Sequence, residues 1–414
     1  MKCLFTTLVV STVLLAPSSR AVAFQDTNVN TRYSIEAIVV ENGGYSISKG
    51  LQRELDRLVG RPFRTETLNE VERRIKIEFP GYKVNRQVAK GLTQDQLKVI
   101  FSLERSHKFL DINSPRLAYH SQQNFSFGAS ADINLRLASL SFGLITDNDE
   151  RVERYSGLRG AVVAPLGSSR VRFAFVGESY RSQWNSKTLA AEAGGGELYR
   201  VRTNFEPTVL IDLAPGLVLR AGLSFNNLEM QVPAARDQAA HAVITTLRYS
   251  KQWQLGLTGT QTLEAGYNLR AAASFLGSDF DYRRHSGEAR FALASGNSEK
   301  SNTTLSFSTL IGSIDGYAPV LDRFVLGNSR TLRGYNRFEL APLGADRVLH
   351  FSADGRYHFV RAIYDTGTVW DGGRPRVLRH SAGVGILISG ITAMIACPIR
   401  SGPIEPIFLV GMNF

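Results

Sequence analysis

From about Arg116 to the carboxyl terminus, apolar and polar residues trade places at every second position, in one segment after another. Between Val348 and Val360, Leu349, Phe351, Ala353, Gly355, Tyr357 and Phe359 form one set, and His350, Ser352, Asp354, Arg356 and His358 form the other. Leu217, Leu219, Ala221, Leu223 and Phe225 stand in the same way against Val218, Arg220, Gly222, Ser224 and Asn226, and Val171, Phe173 and Phe175 against Arg172 and Ala174. A period of two belongs to extended strands, whose successive side chains point to opposite faces. The pattern predicts a long run of antiparallel strands with one dry and one wet face.

Between Tyr33 and about Arg105 the period changes. Ile35, Ala37 and Val39 alternate with Ser34, Glu36 and Ile38 as a first strand, and Asn42-Gly43-Gly44 then turns the chain. Leu51, Leu55, Leu58 and Val59 share one helical face, and Gly60 stops that helix ahead of Pro62. Thr65 is a candidate cap for a second helix with Leu68, Val71, Ile75 and Phe79 on its apolar face, ended by Pro80-Gly81. Two further strands follow, around Tyr82 to Val88 and Leu97 to Glu104, with Leu97, Val99, Phe101 and Leu103 on one side.

Ahead of both regions, Lys2 precedes an apolar stretch from Leu4 to Ala16, and Ala21-Val22-Ala23 supplies a small-x-small cleavage site. Residues 1–23 read as a secretory signal and 24–32 as a short linker. No later stretch offers the roughly 20 uninterrupted apolar residues that a spanning helix needs. With Cys3 in the signal, Cys397 stays alone and no intrachain disulfide is expected even in an oxidising compartment.

An exported chain of alternating strands is either a soluble sandwich or a membrane barrel, and the chain end favours the barrel. Phe408, Val410, Met412 and Phe414 lie on one face of the last strand, against Ile407, Leu409, Gly411 and Asn413. In hydrocarbon an unpaired backbone amide or carbonyl costs several kcal/mol, so such a sheet must close on itself. At about ten residues per tilted strand plus turns and loops, residues 116–414 hold roughly 16 strands, and about 14 to 16 alternating segments can be traced, with Trp253 to Ser274 open between one strand and two.

The small first region, with its Gly60-x-Pro62 step and Phe79-Pro80-Gly81-Tyr82 turn, resembles a POTRA domain, the periplasmic module of the BamA and two-partner-secretion (TpsB) superfamily. The region from Arg116 resembles that superfamily's barrel of the bacterial surface antigen type. The tetrad Leu332-Arg333-Gly334-Tyr335 is similar to the motif that, in the superfamily, tops a loop folded into the barrel lumen. The resemblance implies that Arg333 pairs with an aspartate on the inner wall, within a hydrophobic-x-Asp-x-Gly motif. Ile363-Tyr364-Asp365-Thr366-Gly367 offers one, with Asp365 and Gly367 on the same face as Ile363 and opposite Tyr364. An arginine fork on a carboxylate gives two parallel charge-assisted hydrogen bonds, which lysine would not reproduce. Gly334 would allow the turn. Upstream, Phe324-x-x-Gly327 resembles the family lead-in, but Asn328 stands where a second glycine is usual. Phe414 resembles the terminal aromatic by which outer-membrane barrels are recognised for assembly.

The formal charge of +11, 43% hydrophobic residues and 37 glycines suit a soluble enzyme as well as a barrel, but the arginines are scattered among the strands. No basic cluster with interleaved aromatics points to nucleic acid. No Gly-x-Ser-x-Gly, His-Glu-x-x-His or phosphate-loop pattern occurs. His350 and His358 flank Asp354 at steps of about 13 Å along a strand, too long for one metal. The expectation is a mainly β chain, a transmembrane antiparallel barrel preceded by one α+β POTRA-like domain over residues 33–105, without enzyme activity, cofactor or metal.

The resemblance implies a translocation or assembly factor of the bacterial outer membrane, which binds extended polypeptide through the POTRA domain in the periplasm and passes or inserts it through the barrel. Expected partners are an unfolded client, outer-membrane lipid, and periplasmic chaperones or accessory lipoproteins. The alternatives are a passive pore or structural barrel without a client and, ranked last because no passenger lies between Ala23 and Tyr33, a secretion unit for a fused passenger.

Overall fold

The computed structural model describes residues 32–412 except 42–46, 80–81, 106–109, 136–137, 169, 193–195, 234, 256–258, 296–302, 373–375 and 401–403. The signal segment 1–23, most of the 24–32 linker, the Asn42-Gly43-Gly44 turn, Pro80-Gly81 and the terminal Phe414 lie outside the described residues.

The first domain runs β1 (Ser34–Glu41), α1 (Lys49–Leu58), α2 (Thr65–Glu78), β2 (Tyr82–Lys90) and β3 (Gln96–Arg105). Its sheet has the order β1-β3-β2, with β1 parallel and β2 antiparallel to β3. Leu51 and Leu55 of α1 and Leu68, Val71 and Ile75 of α2 are buried on the sheet against Ile35, Val84, Val99 and Phe101. Each such side chain contributes about 1.5–3 kcal/mol of transfer free energy.

Three local expectations change. A bulge between Ile35 and Ala37 shifts the phase of β1, so Ile38 and Val40, rather than Ala37 and Val39, join Ile35 on the core side. Val59 falls beyond α1 and is 45% exposed. Thr65 is the first helical residue of α2, not its cap. The side-chain cap belongs to α1, where Ser48 Oγ accepts from Leu51 N at 3.2 Å and donates to Glu78 at 2.9 Å.

The outer side of β1 is taken at its start: Ile35 N donates to Arg61 O and Phe63 N to Tyr33 O, at 2.9 and 2.8 Å. Among the described residues, β2 along its length and β1 beyond Ile35 present the free edges of the sheet.

The rest of the chain closes into a barrel. Its long strands are β4 (Leu110–His120), β5 (Asn124–Asn134), β6 (Ser139–Thr146), β7 (Arg154–Ser168), β8 (Val171–Gln183), β9 (Tyr199–Ala214) and β10 (Leu217–Met230), then, after a two-residue β11 (Gln238–Ala239), β12 (Ala242–Leu255), β13 (Gly259–Ala272), β14 (Asp281–Ser295) and β15 (Thr303–Tyr317). They continue as β16 (Arg347–Tyr357), β17 (Val360–Trp370), β18 (Arg379–Ile388), β19 (Ile391–Ile399) and β20 (Ile407–Met412). β20 returns to pair with β4, so sixteen long strands close an antiparallel cylinder. The expected boundary at Arg116 falls inside β4, and Trp253 to Ser274 resolves into the end of β12 and all of β13.

Alternation places Leu349, Phe351, Phe173, Phe175, Leu223, Phe225, Phe408 and Val410 on the outside, exposed as a lipid-facing surface requires, while Ser224, Asn226, His350, Ser352, Ile407 and Leu409 point inward and are buried. The run from Val348 to Val360 is not one strand: it breaks at His358, whose φ of 52° makes the tight turn into β17. His358 therefore does not share a strand face with His350.

Among the described residues the seam is the shortest ladder between long strands of the wall. Leu117, Ala118, Tyr119 and His120 of β4 oppose Met412, Gly411, Val410 and Leu409, whereas β14 and β15 pair continuously from Asp281↔Tyr317 to Ser295↔Thr303.

At the barrel end beside the first domain, seven side chains of alternating charge form one ladder between the two bodies. Arg170, in the β7–β8 turn, meets Glu54 at 3.8 Å; Glu54 meets Arg74 at 2.6 Å; Arg74 meets Glu70 at 3.1 Å; Glu70 meets Arg73 at 2.8 Å. Arg73 then reaches Asp212 of β9 at 3.4 Å, and Asp212 meets Arg172 of β8 at 3.1 Å. Burial alone would raise the Glu70 carboxyl, but the hydrogen bonds and charges of Arg73 and Arg74 hold it below the usual range. Replacing Asp212 by alanine leaves Arg73 and Arg172 facing one another, a loss of about 1.5–3 kcal/mol for hydrogen bonds to a charged group. Spin-label distances between α2 and the β7–β8 turn are expected to broaden in Asp212→Ala. An unchanged distribution would deny the ladder its role in docking.

Candidate functional site

Residues 318–346, between β15 and β16, fold back into the lumen. Apolar contacts hold the loop first: Leu326 and Leu332 are fully buried and pack with Phe324, Tyr335 and Val348 against Tyr199, Leu228, Met230, Tyr282 and Ile314 of the wall. On the descending limb, the Asp322 carboxylate accepts from Tyr282 Oη and lies 3.1 Å from Arg270, while Arg284 Nε donates to Asp322 O at 2.8 Å. The guanidinium of Arg284 also covers the Phe324 ring at 4.4 Å. Asn328, the departure from the expected glycine, shapes the tip: its Oδ1 accepts from Arg330 N at 2.9 Å and from Thr331 N at 2.7 Å. Short polar side chains favour such turns because they supply their own acceptor.

At the tip, Arg333 meets Asp365. Arg333 Nε and Nη2 donate to the two carboxylate oxygens at 2.9 and 2.8 Å, and Arg333 N donates to the same group at 2.9 Å. The rest of the guanidinium is used as well, with Nη1 on Asp354 at 3.0 Å and Nη2 on Ser352 Oγ at 2.8 Å. Asp354 is shared with Arg361 at 2.6 Å. Leu332 carries a φ of 49°, a left-handed conformation costing about 1–3 kcal/mol in a non-glycine residue. It is over-determined by the burial of its side chain and by Leu332 N donating to His350 Nε2 at 3.2 Å.

Gly334 lies in the turn that Tyr335 N closes on Leu332 O at 3.0 Å, but glycine is needed there for proximity. Its φ is not positive, but a Cβ there would lie 2.7 Å from the Cys397 carbonyl carbon and from Ser381 Cβ, so the loop backbone lies directly on β18 and β19. Gly367 serves likewise, since a Cβ would meet Leu326 Cδ1 and Leu349 O at 2.9 Å. Tyr335 is buried beneath Arg379, whose guanidinium is 5.6 Å from its ring.

The loop also grips the far side of the seam, which the sequence did not suggest. Asp149 accepts from Ser329 N at 2.9 Å and pairs with Arg116 of β4 at 2.8 Å, and Arg116 Nη2 donates to Ser329 Oγ at 2.9 Å. Gln123 Nε2 donates to Gly327 O at 2.8 Å, and Arg337, fully buried, pairs with Asp147 at 2.8 Å. Arg333 and Gly334 therefore hold the loop to β16–β19, and Ser329 holds it to β4, on opposite sides of the joint between β20 and β4. Of these partners, Asp354 and Ser352 carried a signal, since both share the inward parity of His350. Arg116, Asp149 and Asp322 carried none.

At the end away from the first domain, α3 (Ser186–Ala191) lies over α4 (Arg337–Leu340) of the loop. Lys187 pairs with Glu339 at 2.5 Å, and Thr188 Oγ1 donates to Pro342 O at 2.8 Å. Beneath the tip is a polar chamber of about 920 Å³, lined in part by Arg248, Glu264, Arg290, Thr331 and Asp354. Among the described residues, no group of three or more His, Cys, Asp or Glu is placed to hold a metal ion.

Residues 88–395 match the Omp85 superfamily domain. No curated protein matches the sequence. Among solved structures, BamA from Haemophilus ducreyi lacking POTRA domains 1–3 is similar over 92% of this chain and 84% of its own, with a TM-score of 0.60 and 15% identity. CdiB from Acinetobacter baumannii is similar over 92% of this chain and 74% of its own, with a TM-score of 0.62 and 12% identity. CdiB from Escherichia coli covers the same 92% with 76% of its own length, a TM-score of 0.59 and 12% identity. At these identities the likeness is one of fold.

Proposed function

We propose, given that this chain belongs to the Omp85 superfamily, that it delivers polypeptide clients to the bacterial outer membrane, taking them up through its first domain and releasing them through the barrel wall. Membership and the BamA-like and CdiB-like fold support an outer-membrane barrel engaged in protein insertion or secretion in general. The barrel end beside the first domain then faces the periplasm. The work is binding and passage, without a chemical step.

The observation that carries this reading is the contrast between a covered mouth and a short seam. The far mouth is covered by the clasped loop under α3, while among the described residues four residue pairs and the hydrogen bonds between Ser121 and Phe408 hold β4 to β20. An extended client adds to the free edge of β2, where backbone hydrogen bonds give affinity without strict sequence choice. Exposed Lys83 and Lys90 keep that edge from pairing with other sheets when idle. The Arg333–Asp365 clasp sets the loop, and through it the two sides of the seam. Periplasmic chaperones or accessory lipoproteins bring the client to β2.

Deleting residues 33–105 tests this. The expected result is a several-fold fall in client proteins of the outer membrane at normal barrel levels. Full client levels, with ion conductance persisting through the truncated barrel, would instead make the protein a passive pore.

A further inference from the structure

Helix α1 carries its cations on one side. Lys49, Arg53 and Arg57 follow one another at i, i+4 and i+8, and Arg61 and Arg64 continue the series through the turn into α2; all five are exposed, and among the described residues none of them forms an ion pair. Like charges one helical turn apart disfavour a helix. Exposed Asp56, three residues from Arg53 and held by Gln52 Nε2 at 2.8 Å, is the one acid of α1 beside the stripe. An excess of like charge remains, which works against the helix unless a further anion lies beside it.

The other sides of α1 are occupied. Leu51 and Leu55 face the sheet, and Glu54 is tied to Arg170 in the β7–β8 turn. At about 100° per residue the stripe lies opposite Leu51 and Leu55, with Arg57 nearest the side on which Glu54 meets the barrel. Its depth follows from the wall. Leu166 and Phe173, exposed on the outer faces of β7 and β8, carry the apolar belt to within four residues of Arg170. A tilted strand advances at most about 3.3 Å per residue. The headgroup layer adds roughly 5–7 Å to each side of the hydrocarbon. At a tilt of about 40° these three to four residues advance roughly 7–10 Å, so Arg170, and the helix joined to it through Glu54, sit at the outer edge of the headgroup layer on the side of the first domain.

We infer that Lys49, Arg53 and Arg57, extended by Arg61 and Arg64, form a docking surface for anionic phospholipid headgroups. Their phosphates supply the counter-charge that Asp56 alone does not, and the contact continues the barrel's own lipid interface. Docking holds α1 flat against the membrane and turns the free edge of β2 toward the periplasm. The surface does not depend on the client reading and stands or falls separately from it.

The test uses the full chain in nanodiscs of phosphatidylcholine alone or with about one third phosphatidylglycerol. The rate at which a water-soluble reagent acylates the Lys49 amine is read by mass spectrometry against Lys83 and Lys90 of β2, both exposed and far from the stripe in the fold. The ratio of Lys49 to these references is expected to fall at least about threefold in the anionic discs and to recover in high salt, which screens such contacts. The double substitution Arg53→Glu, Arg57→Glu should abolish the difference while leaving Lys83 and Lys90 unchanged, which also reports an intact domain. An equal ratio in both discs would mean that the stripe faces water. Protection that is the same in neutral discs and insensitive to salt would mean that protein covers it. Either result overturns the inference.

Discussion

Asp365→Ala is expected to free the inward loop from the wall. The carboxylate is fully buried and takes three hydrogen bonds from Arg333, two from the guanidinium and one from the backbone. Its removal leaves a buried guanidinium with Ser352 and with an Asp354 already engaged by Arg361. Breaking one partner of a buried pair costs about 3–5 kcal/mol, because the remaining charge keeps its desolvation penalty and loses the attraction. Leu332 then loses part of what holds its left-handed backbone in place. The barrel wall, closed by its own ladder, should persist, so the variant should still assemble. The loop should become open to protease at Arg330 and Arg333, single-channel conductance should rise several-fold, and client delivery should fall. Asp365→Asn, which keeps shape and one acceptor, should lie between. Wild-type protection and conductance in the alanine variant would show that the apolar packing of Leu326, Leu332 and Tyr335 suffices to hold the loop.

The barrel was legible because it rests on parity, whereas the pair Arg333–Asp365 came from the resemblance of its two motifs to those of the superfamily, with which parity agreed. A strand alternates strictly, so an aspartate two residues from Ile363 must share its face, and the dry and wet sets of β8, β10 and β16 could be read off directly. What escaped was whatever breaks parity or is set by packing across the chain. The bulge after Ile35 shifts the phase of β1 with no glycine or proline to announce it. His358 turns the chain in a left-handed conformation inside what reads as an unbroken strand. Gly334 looks like a turn residue, yet its value lies in the approach of the loop to β18 and β19, visible only once those strands are in place. Asn328 looks like a defect in a glycine motif and is instead the acceptor that closes the tip. Asp149 and Arg116 lie far from the loop in sequence and meet it only through barrel closure, and Asp322 of the loop meets Arg270 of β13 in the same way.

The grip of the loop on both sides of the seam gives the clasp its mechanical sense. With Ser329 held by Asp149 and Arg116 of β4, and Arg333 held by Asp365, the loop bridges the joint from within. Parting β4 from β20 therefore requires the loop to let go on one side. Where neighbouring strands such as β14 and β15 would have to lose a full ladder, the seam has, among the described residues, four facing pairs and the Ser121–Phe408 hydrogen bonds to lose.

Tethering that seam tests most directly whether clients leave through the wall. Tyr119 and Val410 face each other across it, on the lipid side. Opposed residues of antiparallel strands stand about 4.5–5.5 Å apart at Cα, within the reach of a disulfide. In a Cys397→Ser background, Tyr119→Cys with Val410→Cys should cross-link under oxidation without disturbing the loop. The measurement is the rate at which newly made outer-membrane proteins reach the membrane in cells living on this variant, for those proteins whose level falls when the wild-type chain is depleted. Delivery should stop in the oxidised form and return on reduction; delivery at the wild-type rate through a fully cross-linked barrel would contradict release through the wall.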